Sequence, residues 1–162
     1  MRRRLPRGCG GFTIIELMIT VVISGILISG ALVSYRGLGT KQLVKQAGIS
    51  FQTNLKSYQQ KALAGAKPAE CGPGDTLEGY RVSYLDSNSF SLAAVCTIAV
   101  PLATEINLPD GVEFQAAFDP IDIFFPVLAS VISGAQTIVL TKDIYSYQVI
   151  IEPSGVIRGE FI

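Results

Sequence analysis

The feature that most constrains this chain is a 24-residue apolar run, Phe12–Tyr35, that no proline interrupts. Written as a helix it spans ~36 Å, enough to cross a bilayer. It carries a single charge, Glu16, near its start. A carboxylate inside a membrane-length segment is costly, so its presence is by default a functional signal.

Charge is distributed unevenly around this run. The formal net charge is zero, yet Arg2, Arg3, Arg4 and Arg7 all precede Gly11. The rest of the chain keeps nine basic and thirteen acidic residues, a net of −4. Basic residues ahead of an apolar helix follow the positive-inside rule and place residues 1–11 in the cytoplasm. A secretory signal would pair a shorter apolar core with a small-residue cleavage site after it. A lipoprotein signal at Cys9 fails as well, because Leu5-Pro6-Arg7-Gly8 offers no apolar approach to it.

The junction itself reads Gly11-Phe-Thr-Ile-Ile-Glu-Leu17, with Glu16 in the fifth position after the glycine. This string, behind a basic leader, resembles the class III signal of type IV pilins and pseudopilins. The resemblance implies cleavage between Gly11 and Phe12 by a membrane-embedded prepilin peptidase, and methylation of the new amino group of Phe12. It also implies that Phe12–Tyr35 survives in the mature chain, as the transmembrane part of a long helix. In the filament so implied, Glu16 of one subunit neutralises the Phe12 amine of its neighbour, turning two isolated charges into one pair. The plain alternative for Glu16 is an interfacial carboxylate on an ordinary signal anchor. Many major pilins carry a proline midway along this helix; here Gly25 and Gly30 are the only interruptions of comparable kind.

Beyond Tyr35 the chain turns polar, with Gly37 and Gly39 as candidate weak points in the helix. Ala47, Phe51, Leu55, Tyr58 and Ala62 then recur in steps of three and four, which predicts an amphipathic face. The expected helix runs from Phe12 to about Ala66, with residues 36–66 lying against a sheet. Pro68 and Cys71-Gly-Pro-Gly are its expected end.

Residues 67–162 read as a β-rich head. Strands are predicted at Tyr80–Leu85, Phe90–Cys96, Val112–Ala117, Ile121–Phe125, Gln136–Leu140, Tyr145–Ile151 and Val156–Phe161. Asp86-Ser-Asn-Ser89, Pro109-Asp-Gly111 and Pro153-Ser-Gly155 are turn signals between them, and Leu128–Ile132 fits either a loop or a short strand. The fold class is therefore α+β: a long N-terminal helix packed on an antiparallel head, the pilin-like arrangement that the resemblance implies. The final hairpin around Glu152-Pro-Ser-Gly155, and the Phe118–Phe125 stretch before Thr137–Leu140, resemble minor pseudopilins of the GspH/FimT type.

Cysteine parity adds one expectation. Removal of residues 1–11 takes Cys9 away and leaves Cys71 and Cys96, an even pair in an extracytoplasmic domain where disulfides persist. A bridge and two unpaired thiols both remain open.

Other chemistry finds little support. The chain has no His, no Gly-rich phosphate loop and no Cys-x-x-Cys. Asp119 and Asp122 flank Pro120, and two carboxylates alone make a poor calcium cage, so solvated turn residues are the better reading. No cofactor or metal is expected, and the chain reads as the substrate of an enzyme rather than an enzyme. A DNA- or surface-binding minor pilin needs a basic patch. From Pro68 onward, Arg81, Lys142 and Arg158 stand against twelve acidic residues.

The reading is an inner-membrane protein with an extracytoplasmic head that enters a pilus or a type II secretion pseudopilus. Its partners are prepilin peptidase, other pilin subunits and an inner-membrane assembly platform. The missing proline and the terminal hairpin favour a minor, priming or tip subunit over a major pilin.

Overall fold

A computed structural model describes residues 12–69, 71–98, 103–115, 122–129, 132 and 136–162. The leader, with Gly11 and Cys9, and the Asp119 position lie outside the described residues. The chain divides into two compact units, Met1–Leu38 and Gly39–Ile162.

One helix, α1, covers Ile14–Leu63. It passes through Gly37 and Gly39 without a break, contrary to the expected weakness there. A glycine costs a helix only about 1 kcal/mol against alanine, too little to end one that is anchored further along. The end comes at Leu63, earlier than Ala66 and for a different reason from the proline. Gly65 takes a left-handed φ of 60°. The Gly65 N–H then bonds to Ala62 O and the Ala66 N–H to Lys61 O, each at 3.0 Å, the paired bonds of a Schellman cap.

Among the described residues the second unit contains eight strands: β1 Leu77–Asp86, β2 Ser89–Cys96, β3 Thr104–Asn107, β4 Glu113–Phe114, β5 Asp122–Pro126, β6 Thr137–Lys142, β7 Tyr145–Ile151 and β8 Ile157–Phe161. They form two four-stranded sheets, in the orders β3-β2-β1-β5 and β4-β6-β7-β8. Every described pairing is antiparallel. The α+β class thus holds, with two sheets in place of one. Strand β3 was not anticipated, and the strand expected at Val112–Ala117 shrinks to the two residues of β4, with Ala116 and Ala117 outside the described residues. Leu128 sits in a turn with φ of 57°.

The core forms where α1 meets both sheets. Ala47, Phe51, Leu55 and Ala62 are buried as the periodicity predicts, joined by Val44, while Tyr58 is only partly covered. Phe51 makes edge-to-face contacts with Phe90 of β2 and Phe114 of β4, with ring centroids 4.9 and 5.5 Å apart. One side chain therefore joins the helix to a strand of each sheet. Gly48 is where Tyr147 of β7 reaches the helix; a Cβ there would overlap the tyrosine ring. Gly159 of β8 is in the same position towards the Tyr147 hydroxyl end, so the ring lies between two glycines.

Candidate processing and assembly site

The cleavage point expected after Gly11 falls at the edge of the described residues, with Phe12 on the described side and 81% exposed. Thr13 is the N-cap of α1. Its Oγ1 accepts a hydrogen bond from the Glu16 N–H at 3.3 Å, and its carbonyl accepts the first helical bond, from Leu17 N–H, at 3.2 Å. Thr13-Ile-Ile-Glu16 has the spacing of a capping box, a signal present in the sequence but overlooked in favour of the charge itself. Glu16 thereby occupies the first turn, where the exposed amide dipoles favour a carboxylate. Its side chain makes no ion pair among the described residues.

From Ile14 to Ile28 the helix presents large apolar side chains in every direction. Ile14, Ile15, Leu17, Met18, Ile19, Val21, Val22, Ile23, Ile26, Leu27 and Ile28 are all more than half exposed. A helix that is apolar all round belongs in a membrane or a protein core, not in water. Among the described residues no helix is long and apolar enough to cross a membrane. The apolar sequence continues to Tyr35, but the side chains of residues 29–37 lie outside the described set.

In the second unit, Cys71 and Cys96 form a disulfide with Cα atoms 6.0 Å apart. It closes the loop between the end of α1 and β1 onto the last residue of β2. Lys67 holds the same loop, donating to Gly72 O at 2.9 Å and Asp75 O at 2.7 Å. The terminal hairpin is tied to the helix by two amides one heptad apart: Gln52 Nε2 donates to Ile157 O at 3.1 Å and Gln59 Nε2 to Gly155 O at 2.7 Å. Neither glutamine stood out in the sequence, since polar residues beside an apolar stripe read simply as solvated.

Titratable chemistry in this unit is structural in character. Burial pushes the Tyr58 and Tyr147 phenols above their ordinary range, and a bond with the Thr104 hydroxyl partly offsets this at Tyr58. At the β1–β2 turn the Asn88 backbone N–H holds the Asp86 carboxyl below its usual range, with a smaller contribution from Ser89. Asp122, once weighed as a metal or acid–base residue, faces Arg81 at 3.7 Å instead. No group of three potential metal ligands occurs among the described residues.

Residues 6–32 match the family model described as the prokaryotic N-terminal methylation motif. The chain carries a prepilin-type signal. The match begins at Pro6 and takes in Arg7, the Gly11–Phe12 junction, Glu16 and most of the apolar run, leaving Arg2, Arg3 and Arg4 ahead of it. It supports a pilin- or pseudopilin-type assembly subunit whose precursor is anchored in a membrane. No curated protein and no solved structure matches the chain.

Proposed function

We propose that this chain is a structural subunit of a type IV pilus or a type II secretion pseudopilus, acting as a minor, priming or tip component. Prepilin peptidase cuts between Gly11 and Phe12 and methylates the Phe12 amine. The segment Phe12–Tyr35 holds the mature subunit in the inner membrane, with the head on the extracytoplasmic side. An assembly platform then moves subunits into the filament, where their N-terminal helices pack together.

The observation that carries this reading is the capped first turn at Thr13–Glu16, inside the matched motif. Capping fixes where the helix begins, and so fixes the carboxylate one turn from the amine that cleavage creates. Glu16 makes no ion pair among the described residues, which leaves its carboxylate open to the Phe12 amine of a neighbouring subunit. The minor role is supported by the missing mid-helix proline and by the terminal hairpin bound to α1 through Gln52 and Gln59.

Mass spectrometry of the mature N-terminus tests the processing step. The expected first residue is Phe12, one methyl group heavier than the unmodified residue. A mature protein that retains residues 1–11 overturns the reading. Glu16→Ala should still be cleaved yet enter filaments poorly, and normal incorporation of that variant removes the assembly role of the carboxylate.

A further inference from the structure

The cations of the second unit are almost all engaged within the chain. Lys41 lies over the Phe161 ring and Lys61 over Tyr58, at 4.8 and 4.3 Å from the centroids. Lys67 holds two carbonyls, Arg81 faces Asp122, Lys142 donates to Asp110 O and Arg158 pairs with Glu152. Among the described residues Lys45 and Lys56 are the exceptions: both are exposed, and neither ammonium has a carboxylate, ring or carbonyl partner. They are eleven residues apart, three helical turns or ~16 Å, and so share one flank of α1. That flank borders β8, where Lys56 lines a cleft of about 520 Å³ with Gln52, Arg158, Gly159 and Glu160, whose carboxylate accepts from Gln148 Nε2 and not from Lys56.

The other flank of α1 has the opposite character. It borders β3 across a groove of about 370 Å³ whose lining includes Ser50, Asn54 and Ile106 and carries no charge. The segment from β3 to β4 beside this groove holds Glu105, Asp110 and Glu113, all exposed, with no basic residue in the sequence between Thr104 and Phe114. None of the three carboxylates is in an ion pair among the described residues. Lys142 lies over Gly111 and donates to the Asp110 backbone carbonyl, without pairing with any of the three carboxylates. Strands β3 and β4 are edges of the two sheets, and β8 is the second edge of the sheet that contains β4.

Unpaired cations on one side of the helix and unpaired carboxylates on the other make two different surfaces that complement each other. They cannot satisfy one another within a chain. They can between chains, in a heterologous contact that repeats instead of closing on a two-fold axis. We propose that the Lys45–Lys56 flank of one copy docks on the Glu105–Asp110–Glu113 edge of a second copy. This rests on the assembly-subunit reading for its setting, in the form of a subunit that meets copies of itself and not of a lone tip component, and adds to the N-terminal helices a second, polar contact with a fixed direction. Complementary charge of this kind sets register and encounter rate more than raw affinity.

The test uses the processed full-length chain in detergent, with self-association followed by sedimentation. Association should be present at about 0.01 M salt and lost at about 1 M, as the Debye length shrinks from about 30 to about 3 Å. Reversing both lysines (Lys45→Glu with Lys56→Glu) should weaken low-salt association by at least about tenfold, with the double Gln variant falling between. Reversing the acids (Glu105→Lys with Glu113→Lys) should weaken it similarly, and combining both reversals in one chain should restore it. Restoration is the outcome that a merely misfolded variant does not give. A wild-type chain that stays monomeric, a lysine-reversed chain that associates normally, or a combined variant that does not recover overturns the proposal. Cleavage after Gly11 together with salt-indifferent association sinks this contact and leaves the processing reading intact. Salt-sensitive association of a chain that is never cleaved does the reverse.

Discussion

The two halves of α1 share one helical backbone but differ in composition and pattern: the first is almost wholly apolar, and the second sets an apolar stripe among lysines and glutamines. Between Gly39 and Leu63 the apolar side chains recur with the helical period, and those on the stripe are buried, leaving Ile49 and Leu63 as the large aliphatics still substantially exposed. Between Ile14 and Ile28 there is no stripe, and every large apolar side chain is more than half exposed. A stripe appears where the covering surface lies in the same unit, because only one side is covered and the other must face water. Uniform apolarity belongs to a segment covered on all sides by something outside its own chain. The lesson is that the period of a helix, read along its length, reports where its partner comes from.

Substitutions can break or sharpen that contrast. The largest effect is expected at Phe51, whose ring touches both sheets: Phe51→Ala should cost about 3–5 kcal/mol in denaturant unfolding of the detergent-solubilised chain. Ile19→Ala, an equally drastic truncation in the other half, should leave the unfolding midpoint of the head unchanged. Equal losses from the two would erase the distinction. Next comes the loop that follows the partnered half. Replacing Cys71 and Cys96 with serine should lower stability by roughly 3 kcal/mol, and added reductant should shift the wild type's melting towards the variant's. Gly48→Ala should cost about 1–3 kcal/mol through overlap with Tyr147. Gly25→Ala meets open space and should leave unfolding unaltered or slightly strengthen the helix.

The smallest effect concerns pH and lies away from the helix. Asp86 has a folded-state pKa below its unfolded one, so its contribution is present above the unfolded pKa and disappears as pH falls through the folded value. Asp86→Ala should therefore be slightly less stable than wild type at neutral pH and equal to it in strong acid. A gap between the two melting curves that is independent of pH would show that the turn, not the charge, is responsible.

Much of this was legible before any coordinates. The buried set Ala47, Phe51, Leu55 and Ala62 could be read because helix burial has a period, and β7 and β8 because alternation and a Pro-Ser-Gly turn mark them. Strand β3 escaped notice because Thr-Glu-Ile-Asn has no alternation long enough to register; it exists through pairing with Ser89–Leu92 of β2. The stop at Gly65 was missed for the opposite reason. A lone glycine between alanines looks weaker than a nearby proline, yet its left-handed φ closes the helix three residues before Pro68. At the N-terminus the charge was plain while its support was not. Thr13 drew attention as part of a motif, and its bond to the Glu16 N–H gives that position a local mechanical reason.

The placement of Tyr147 between Gly48 and Gly159 has a spectroscopic use. The chain contains no tryptophan, so its aromatic near-ultraviolet dichroism must come largely from tyrosine. A phenol clamped between two Cα positions turns over only when helix and hairpin draw apart. Ring-flip exchange at this one residue, followed by NMR, thus becomes a direct clock for how often the helix lifts from the second sheet.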